Sequence, residues 1–280
     1  MSLTSRMTRA EYVAIEAISV SRLKELKHSP QHYQYGLEHP KQSDALTLGT
    51  ATHVAVLEPE RFINDFAVWE RRTDAGAMAP RRGQYWDEFL RVAWGKTVLT
   101  TEERDMANTL AKAVRFDATA NPYLAAGEPE VTMQWDTDGR ACKGRADWLT
   151  RVGDKPVLVG LKTARDCRPF AFGGQAAKLE YGMQWAFYYD GYLACTGVAP
   201  RMIEIVVESA PPHPVATYII DQDIILQGRD NYREMLKILA ECETSGEWPG
   251  PVVGEQFLTL PSWYYPSTDD ISDLELEPIR

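Results

Sequence analysis

The stretch Val157 to Asp166 reads VLVGLKTARD, and its ending is what decides the fold. Val157 to Leu161 is apolar on both faces, which predicts a central strand rather than an edge. The strand then runs straight into Lys162 and Thr163. A lysine is costly to bury unless something pairs with it. Two residues earlier Gly160 has no side chain, and a glycine inside a strand weakens it and marks a bulge or a close approach. Here it is expected to leave a small void that water can fill.

Working outward, EVTMQW (Glu130 to Trp135) alternates as a strand, Asp136-Thr137-Asp138-Gly139 is a hairpin turn, and RACKGRADWL follows as its partner. With a further turn at Arg151 to Pro156, these strands and Val157 to Leu161 make an antiparallel meander. Adjacent strand ends then bring Asp147 and Lys162 to one edge, an acid within reach of a base. On its own that pair reads more readily as a half-buried salt bridge than as an active site.

The flanking segments are mostly helical. Ser19 caps a short helix through Leu26, and Ser29-Pro30 ends it and starts the next. A helix spans Leu46 to Pro59, and Thr100 to Ala120 carries a Thr cap with Glu102 and Glu103 in its first turn. Gln175 to Ala194 is predicted as one helix, with Tyr181, Gln184 and Tyr188 on one face. RMIEIVVES (Arg201 to Ser209) and VATYII (Val215 to Ile220) form a further strand pair, and Asp221 caps a last helix running toward Thr244. Residues 1–266 are expected as one domain with a helical N-terminal region, followed by an acidic tail at 267–280.

Composition narrows the classes. The 280 residues are 44% hydrophobic and 25% charged, ordinary for a soluble globular chain. No apolar run approaches the roughly 20 residues that cross a bilayer, and MSLTSRMTRAEY lacks the order of a secretion signal, so a cytoplasmic location is expected. Cys142, Cys167, Cys195 and Cys242 are far apart without a CxxC pair, which favours free buried thiols over a metal cluster. The net charge of −10 argues against coating nucleic acid through overall charge and leaves room for a local basic groove. Arg71-Arg72 and Arg81-Arg82 flank a small-residue loop with Tyr85 and Trp86 just after it, a combination suited to phosphate contact and base stacking. A solvated loop explains the same residues equally well.

GTATHVAVLEPERF, EPEVTMQW, CKGRADWL, LKTARD and YGMQWAFYYDGY, taken in this order, resemble the RecE-type exonuclease (exonuclease VIII) group of the PD-(D/E)xK nuclease superfamily. The resemblance runs from about Ile18 to about Trp263 and ends in a QxxxY pattern at Gln184 and Tyr188. It implies an α/β (α+β) fold with a restriction-endonuclease-like core, a central mixed sheet flanked by helices. It further implies that His53, Asp147 and the backbone carbonyl of Leu161 hold Mg²⁺ or Mn²⁺, that Lys162 orients or polarises the attacking water, and that Glu130, Gln184 and Tyr188 support them. Hard cations prefer such oxygen ligands, and a metal site both activates water and clamps phosphate charge. The implied activity is 5′-to-3′ digestion of linear duplex DNA in phage-type recombination, by a ring-shaped homo-oligomer working beside a RecT-type annealing protein.

One position departs from the family pattern. Gly160 stands where the second metal carboxylate of the (D/E)xK motif belongs. Three accounts stand side by side: a substitution that silences the nuclease, which Gly160→Asp would reverse; a natural pseudo-nuclease that binds DNA ends without cutting; or a carboxylate that has migrated, with Glu180, one helical turn before Gln184, as its candidate.

Overall fold

A computed structural model of the chain describes residues 1–5, 7–39, 44–261 and 264. The acidic tail at 267–280 lies outside the described residues. In chain order the elements are β1 (Ser2–Thr4), α1 (Arg9–Ala14), α2 (Val20–His28), α3 (Pro30–Glu38), α4 (Asp44–Leu57), α5 (Phe62–Asp65), β2 (Phe66–Trp69), α6 (Gln84–Val92), β3 (Thr97–Thr100) and α7 (Thr101–Phe116). There follow α8 (Asn121–Leu124), β4 (Glu128–Thr137), β5 (Arg140–Val152), β6 (Lys155–Ala164), α9 (Pro169–Lys178), α10 (Tyr181–Thr196), β7 (Arg201–Glu208), β8 (Val215–Ile219) and α11 (Gln222–Ser245).

The main sheet has six strands in the order β1-β4-β5-β6-β7-β8. The expected meander is there: β4, β5 and β6 pair antiparallel, and β4 and β5 are joined by a turn in which Asp138 and Gly139 both have positive φ, as a two-residue hairpin turn requires. The β6–β7 pair is parallel, with α9 and α10 forming the crossover. The sheet is therefore mixed and mostly antiparallel, with β6 inside it as its two-sided apolar pattern demands.

Alternation along β6 and β7 assigns their faces. Val157, Val159 and Leu161 of β6, with Ile203, Ile205 and Val207 of β7, pack against Ala55 of α4 and Leu110, Ala111 and Val114 of α7. Leu158 and Ala164, with Met202 and Val206, face the other way, toward Met183, Trp185 and Phe187 of α10 and Tyr232 and Leu239 of α11. Each large side chain buried in this way contributes about 1.5–3 kcal/mol, so the two layers hold the sheet from both sides. Gly160 and Lys162 share the parity of Leu158, and Glu204 that of Met202 and Val206. All three positions face the α10 side.

Local signals hold well at helix starts. Thr100 and Glu103 make a full capping box for α7, Ser29 accepts the His32 N–H with Pro30 in the first turn of α3, and Asp221 accepts the Asp223 N–H. Ser19 precedes α2 but its hydroxyl makes no cap bond. The single helix expected over Gln175 to Ala194 is instead two, α9 and α10, because Glu180 adopts a left-handed conformation (φ 54°) that ends one helix and opens the other. The parallel pair β2–β3 was not expected from the sequence, its strands being only four residues each.

Candidate active site

The site forms where the meander comes apart. Backbone pairing between β5 and β6 runs from the Val152 turn as far as Trp148↔Val159 and stops. Beyond it, the Asp147 carboxylate takes the place of a backbone acceptor, with Oδ2 receiving the Leu161 N–H at 3.0 Å. On the other side the β4–β5 ladder passes from Pro129↔Trp148 to Val131↔Ala146, leaving Glu130 opposite Asp147 with φ 53°. Ala146 packs with one core layer and Trp148 with the other, so the pleat loses its alternation at Asp147. A strained non-glycine backbone at such a point is typical of functional sites.

Three predicted residues meet here. Lys162 Nζ lies 3.7 Å from Asp147 Oδ2, and His53 Nδ1 lies 3.9 Å from the same oxygen. His53 Nε2 stands 2.5 Å from the carbonyl oxygen of Leu161. It reaches that point because α4 packs Ala51, Thr52 and Ala55 inward, small residues that let the helix lie close to the sheet.

Charge states follow from the surroundings. Burial raises the Asp147 carboxyl, but Lys162, His53 and the Leu161 N–H outweigh it and hold the group below its ordinary range, hence ionised. Burial lowers His53 below the usual imidazole value despite Asp147, so it is neutral and keeps a lone pair. Burial also pulls on Lys162, but Glu204 and Asp147 prevail and hold it above the normal lysine value. Burial pushes Glu130 up to about 7, against the attraction of Arg145, whose Nε forms an ion pair with Glu130 Oε2 at 2.6 Å.

The α10 face covers this cluster as expected. Gln184 and Tyr188, with Trp185, close a void of about 10 Å³ that Asp147, Gly160, Lys162 and Glu204 line from the sheet. That is barely one water's worth of room. The space at Gly160 is thus filled by the Glu204 side chain rather than by water, a correction to the void expected at the glycine. Glu180 does not take that role: it pairs with Lys27 at 2.8 Å.

Sequence reasoning missed Glu204, Trp185 and Lys24. Glu204 is 1% exposed, one carboxylate in the apolar run MIEIVV of β7, and a buried acid without an evident partner was the available signal. Lys24 of α2 donates to Gln184 Oε1 at 3.1 Å and sits 5.0 Å from the Tyr181 ring, which Lys162 approaches to 5.5 Å. Burial and the charge of Lys162 lower Lys24 to about 7.

The predicted DNA-contact residues gather elsewhere, around the loop between β2 and α6. Arg71 lies 3.3 Å above the Tyr85 ring, Arg81 lies 5.7 Å from Trp86, and Trp86 packs edge-on against the buried Trp69. Arg72 Nη1 donates to the Gly76 carbonyl at 3.0 Å, closing the loop, and Arg82 is exposed beside them.

The chemistry of the donor set fits a hard divalent cation. It offers a neutral imidazole, an ionised carboxylate and a backbone carbonyl gathered at one spot. His53 Nε2 and the Leu161 carbonyl oxygen lie 2.5 Å apart, a hydrogen bond when the ring proton is on Nε2, and the Lys162 ammonium donates to the same oxygen at 3.4 Å. Among the described residues no three His, Cys, Asp or Glu side chains enclose an ion by themselves. The Lys162 ammonium lies within 4 Å of both carboxylates, Asp147 and Glu204.

A mixed sheet whose central strand ends in a lysine, beside an aspartate at a strand fork and a histidine from a covering helix, defines the PD-(D/E)xK nuclease fold. The chain belongs to the family described as a PDDEXK-like domain of unknown function (DUF3799), whose model matches residues 19–255. Among solved structures it is similar to the "putative exonuclease" of Eubacterium rectale, with a TM-score of 0.62, 15% identity, and 96% of this chain and 99% of that one covered. Weaker likenesses join it to SSO0001 at TM-score 0.39 (14% identity, 87% and 93% covered). VC1899 from Vibrio cholerae follows at TM-score 0.22 (17% identity, 85% and 62% covered). No curated protein matches the sequence.

Proposed function

We propose that this chain is a divalent-metal-dependent deoxyribonuclease acting on linear duplex ends. The observation that carries the reading is the meeting of Asp147, Lys162, His53 and the Leu161 carbonyl at the β5–β6 fork. His53, Asp147 and the Leu161 carbonyl would hold Mg²⁺ or Mn²⁺, which when bound supplies Lewis acidity toward a phosphodiester. Lys162 places a fixed positive charge where charge builds on the scissile phosphate, in a water-poor site where it counts for more than in bulk. Gln184 Oε1 accepts from Lys24, placing a second basic side chain beside the site. Glu130, close to neutrality in its titration, is suited to exchange a proton near pH 7.

The arginine and aromatic cluster of the β2–α6 loop supports a reading of phosphate contact and end stacking. The 5′-to-3′ direction, the ring-shaped homo-oligomer, the RecT-type partner and the role in recombination rest on the sequence resemblance alone. A non-cutting end-binding protein is the competing reading, and one observation favours it: the Lys162 ammonium already stands within 4 Å of the Asp147 carboxylate that a cation would use.

The test is degradation of linear and closed circular duplex DNA with Mg²⁺ or Mn²⁺, by this protein and by Asp147→Asn and Lys162→Met. Linear DNA is expected to be consumed, circular DNA spared, and both variants to lose on the order of 100-fold or more in rate. A folded wild-type protein that binds DNA ends but leaves them whole under both metals supports the end-binding reading instead.

A further inference from the structure

We infer that Glu204 of β7 is the second carboxylate of this site, standing in for the side chain that Gly160 of β6 does not have. This assignment rests on the nuclease reading above.

Register brings the two positions together. Gly160 and Glu204 are Cα partners in the parallel β6–β7 ladder, and both face α10. A Cβ built on Gly160 would lie 2.5 Å from Glu204 Oε2, 2.6 Å from Oε1 and 2.7 Å from Cδ. Those separations are far inside van der Waals contact, so the Glu204 carboxylate occupies the volume in which a side chain at 160 would begin. A side chain on residue 160 would displace the Glu204 carboxylate from this rotamer, and Glu204 keeps this rotamer because residue 160 is glycine. The glycine therefore accommodates an acid arriving from the neighbouring strand.

The hydrogen bonding of Glu204 suits a group held for use. Trp185 Nε1 donates to Oε2 at 2.5 Å. Oε1 is buried without a hydrogen-bond partner and faces Lys162 Nζ at 3.6 Å, longer than a charge-assisted hydrogen bond of about 2.8 Å. A purely structural acid would be expected to use both oxygens, since each unsatisfied buried acceptor costs about 1–3 kcal/mol. Neutralising Lys162 is also not a sufficient reason for its presence. Asp147 already stands 3.7 Å from that ammonium, so Glu204 is a second carboxylate on a lysine that has one.

The single change Gly160→Asp is then unhelpful: the new Cβ meets Glu204, and a further carboxylate enters a buried pocket. The exchange of both positions, Gly160→Asp with Glu204→Ala, moves the acid back to β6 and removes the collision.

Binding of Mn²⁺ by titration calorimetry and by loss of the free-ion electron paramagnetic resonance signal, without DNA, tests this on wild type, Asp147→Asn, Glu204→Gln, Gly160→Asp and the exchange variant. Thermal midpoints without metal control for folding. Glu204→Gln is expected to fold and to weaken Mn²⁺ binding on the order of 10- to 100-fold. Gly160→Asp is expected to lower the midpoint without gain in affinity, and the exchange variant to bind within a few-fold of wild type. If Glu204→Gln binds Mn²⁺ as wild type does while Asp147→Asn has lost it, Glu204 is structural and the inference fails with the nuclease reading intact. If wild type does not bind Mn²⁺, or Asp147→Asn binds unchanged, the nuclease reading itself falls. Should the exchange variant not fold, Glu204→Gln decides alone.

Discussion

Asp147 Oδ2 accepts the backbone N–H of Leu161 at 3.0 Å just past the last backbone pair between their strands. A side chain has replaced a main-chain carbonyl in the ladder, and in doing so it holds the fork open. The Leu161 N–H is satisfied, and its carbonyl is shared by His53 Nε2 and the Lys162 ammonium. The balance of charge around this fork sets how the protein responds to substitution and to pH.

Lys162 is the cation nearest both carboxylates, and its loss leaves them unbalanced in a pocket where Glu204 is 1% exposed. Lys162→Met is expected to cost about 3 kcal/mol at pH 8, as breaking a buried ion pair does. Glu204 is already raised by burial, and without Lys162 it rises further, so it takes up a proton as the pH falls. The cost therefore shrinks toward pH 5. Urea unfolding at the two pH values checks it, and an equal cost at both would count against an ionised Glu204.

Glu130 titrates near 7 in the folded chain and near the ordinary glutamate value of 4.5 when unfolded. Its folded pKa is raised, so its contribution is fully present below about 4.5 and is lost as the pH climbs through 7. Glu130→Gln removes that titration. The thermal midpoint of the variant relative to wild type is expected to be more favourable at pH 8 than at pH 5, and a difference that stays flat would show that Arg145 keeps Glu130 ionised throughout.

Lys24 presents the opposite case. Burial and Lys162 lower it to about 7 against 10.5 for the free side chain. The unfolded chain then holds the extra proton between those values, so this group makes stability rise with pH from 7 to 10.5. Lys24→Met lacks the group, and its advantage over wild type is expected to be largest below pH 7 and to fade toward pH 10.5. Denaturant midpoints across that range measure it, and a constant difference between the two proteins would show that Lys24 keeps its proton on folding.

Arg71, Arg72, Arg81 and Arg82 sit around one loop, with Arg71 stacked on Tyr85. Replacing all four by Gln is expected to make the salt dependence of duplex binding shallower, by about 0.9 in log–log slope for each phosphate no longer neutralised. Stability should fall by no more than about 1 kcal/mol, mostly from the missing stack on Tyr85. Fluorescence anisotropy on a duplex end at several salt concentrations reads the slope, and an unchanged slope would remove this loop from the DNA path.

The strands and their order around VLVGLKTARD were legible because both faces of β6 are buried and the turns on either side carry their own chemistry, Asp138-Gly139 above all. The helix caps at Thr100, Ser29 and Asp221 were legible for a similar reason: each is local. Asp147 and Lys162 stood out as an acid and a base at adjacent strand ends, and His53 through the family resemblance. The break at Glu180 was not legible, since a left-handed glutamate has no local signature.

What the sequence determined by itself is therefore the meander, its covering helices and the Asp147–Lys162 pair at its fork, because period and turn chemistry act over a few residues. What only the tertiary structure decided is which side chain stands against Gly160. Gly160 and Glu204 are far apart in the chain and become neighbours only through the parallel β6–β7 register. Seen along the chain, Gly160 is a glycine where the resemblance implies a carboxylate. Across the sheet it is the space into which a carboxylate from the next strand fits, because parallel strands in register point partner side chains to the same face.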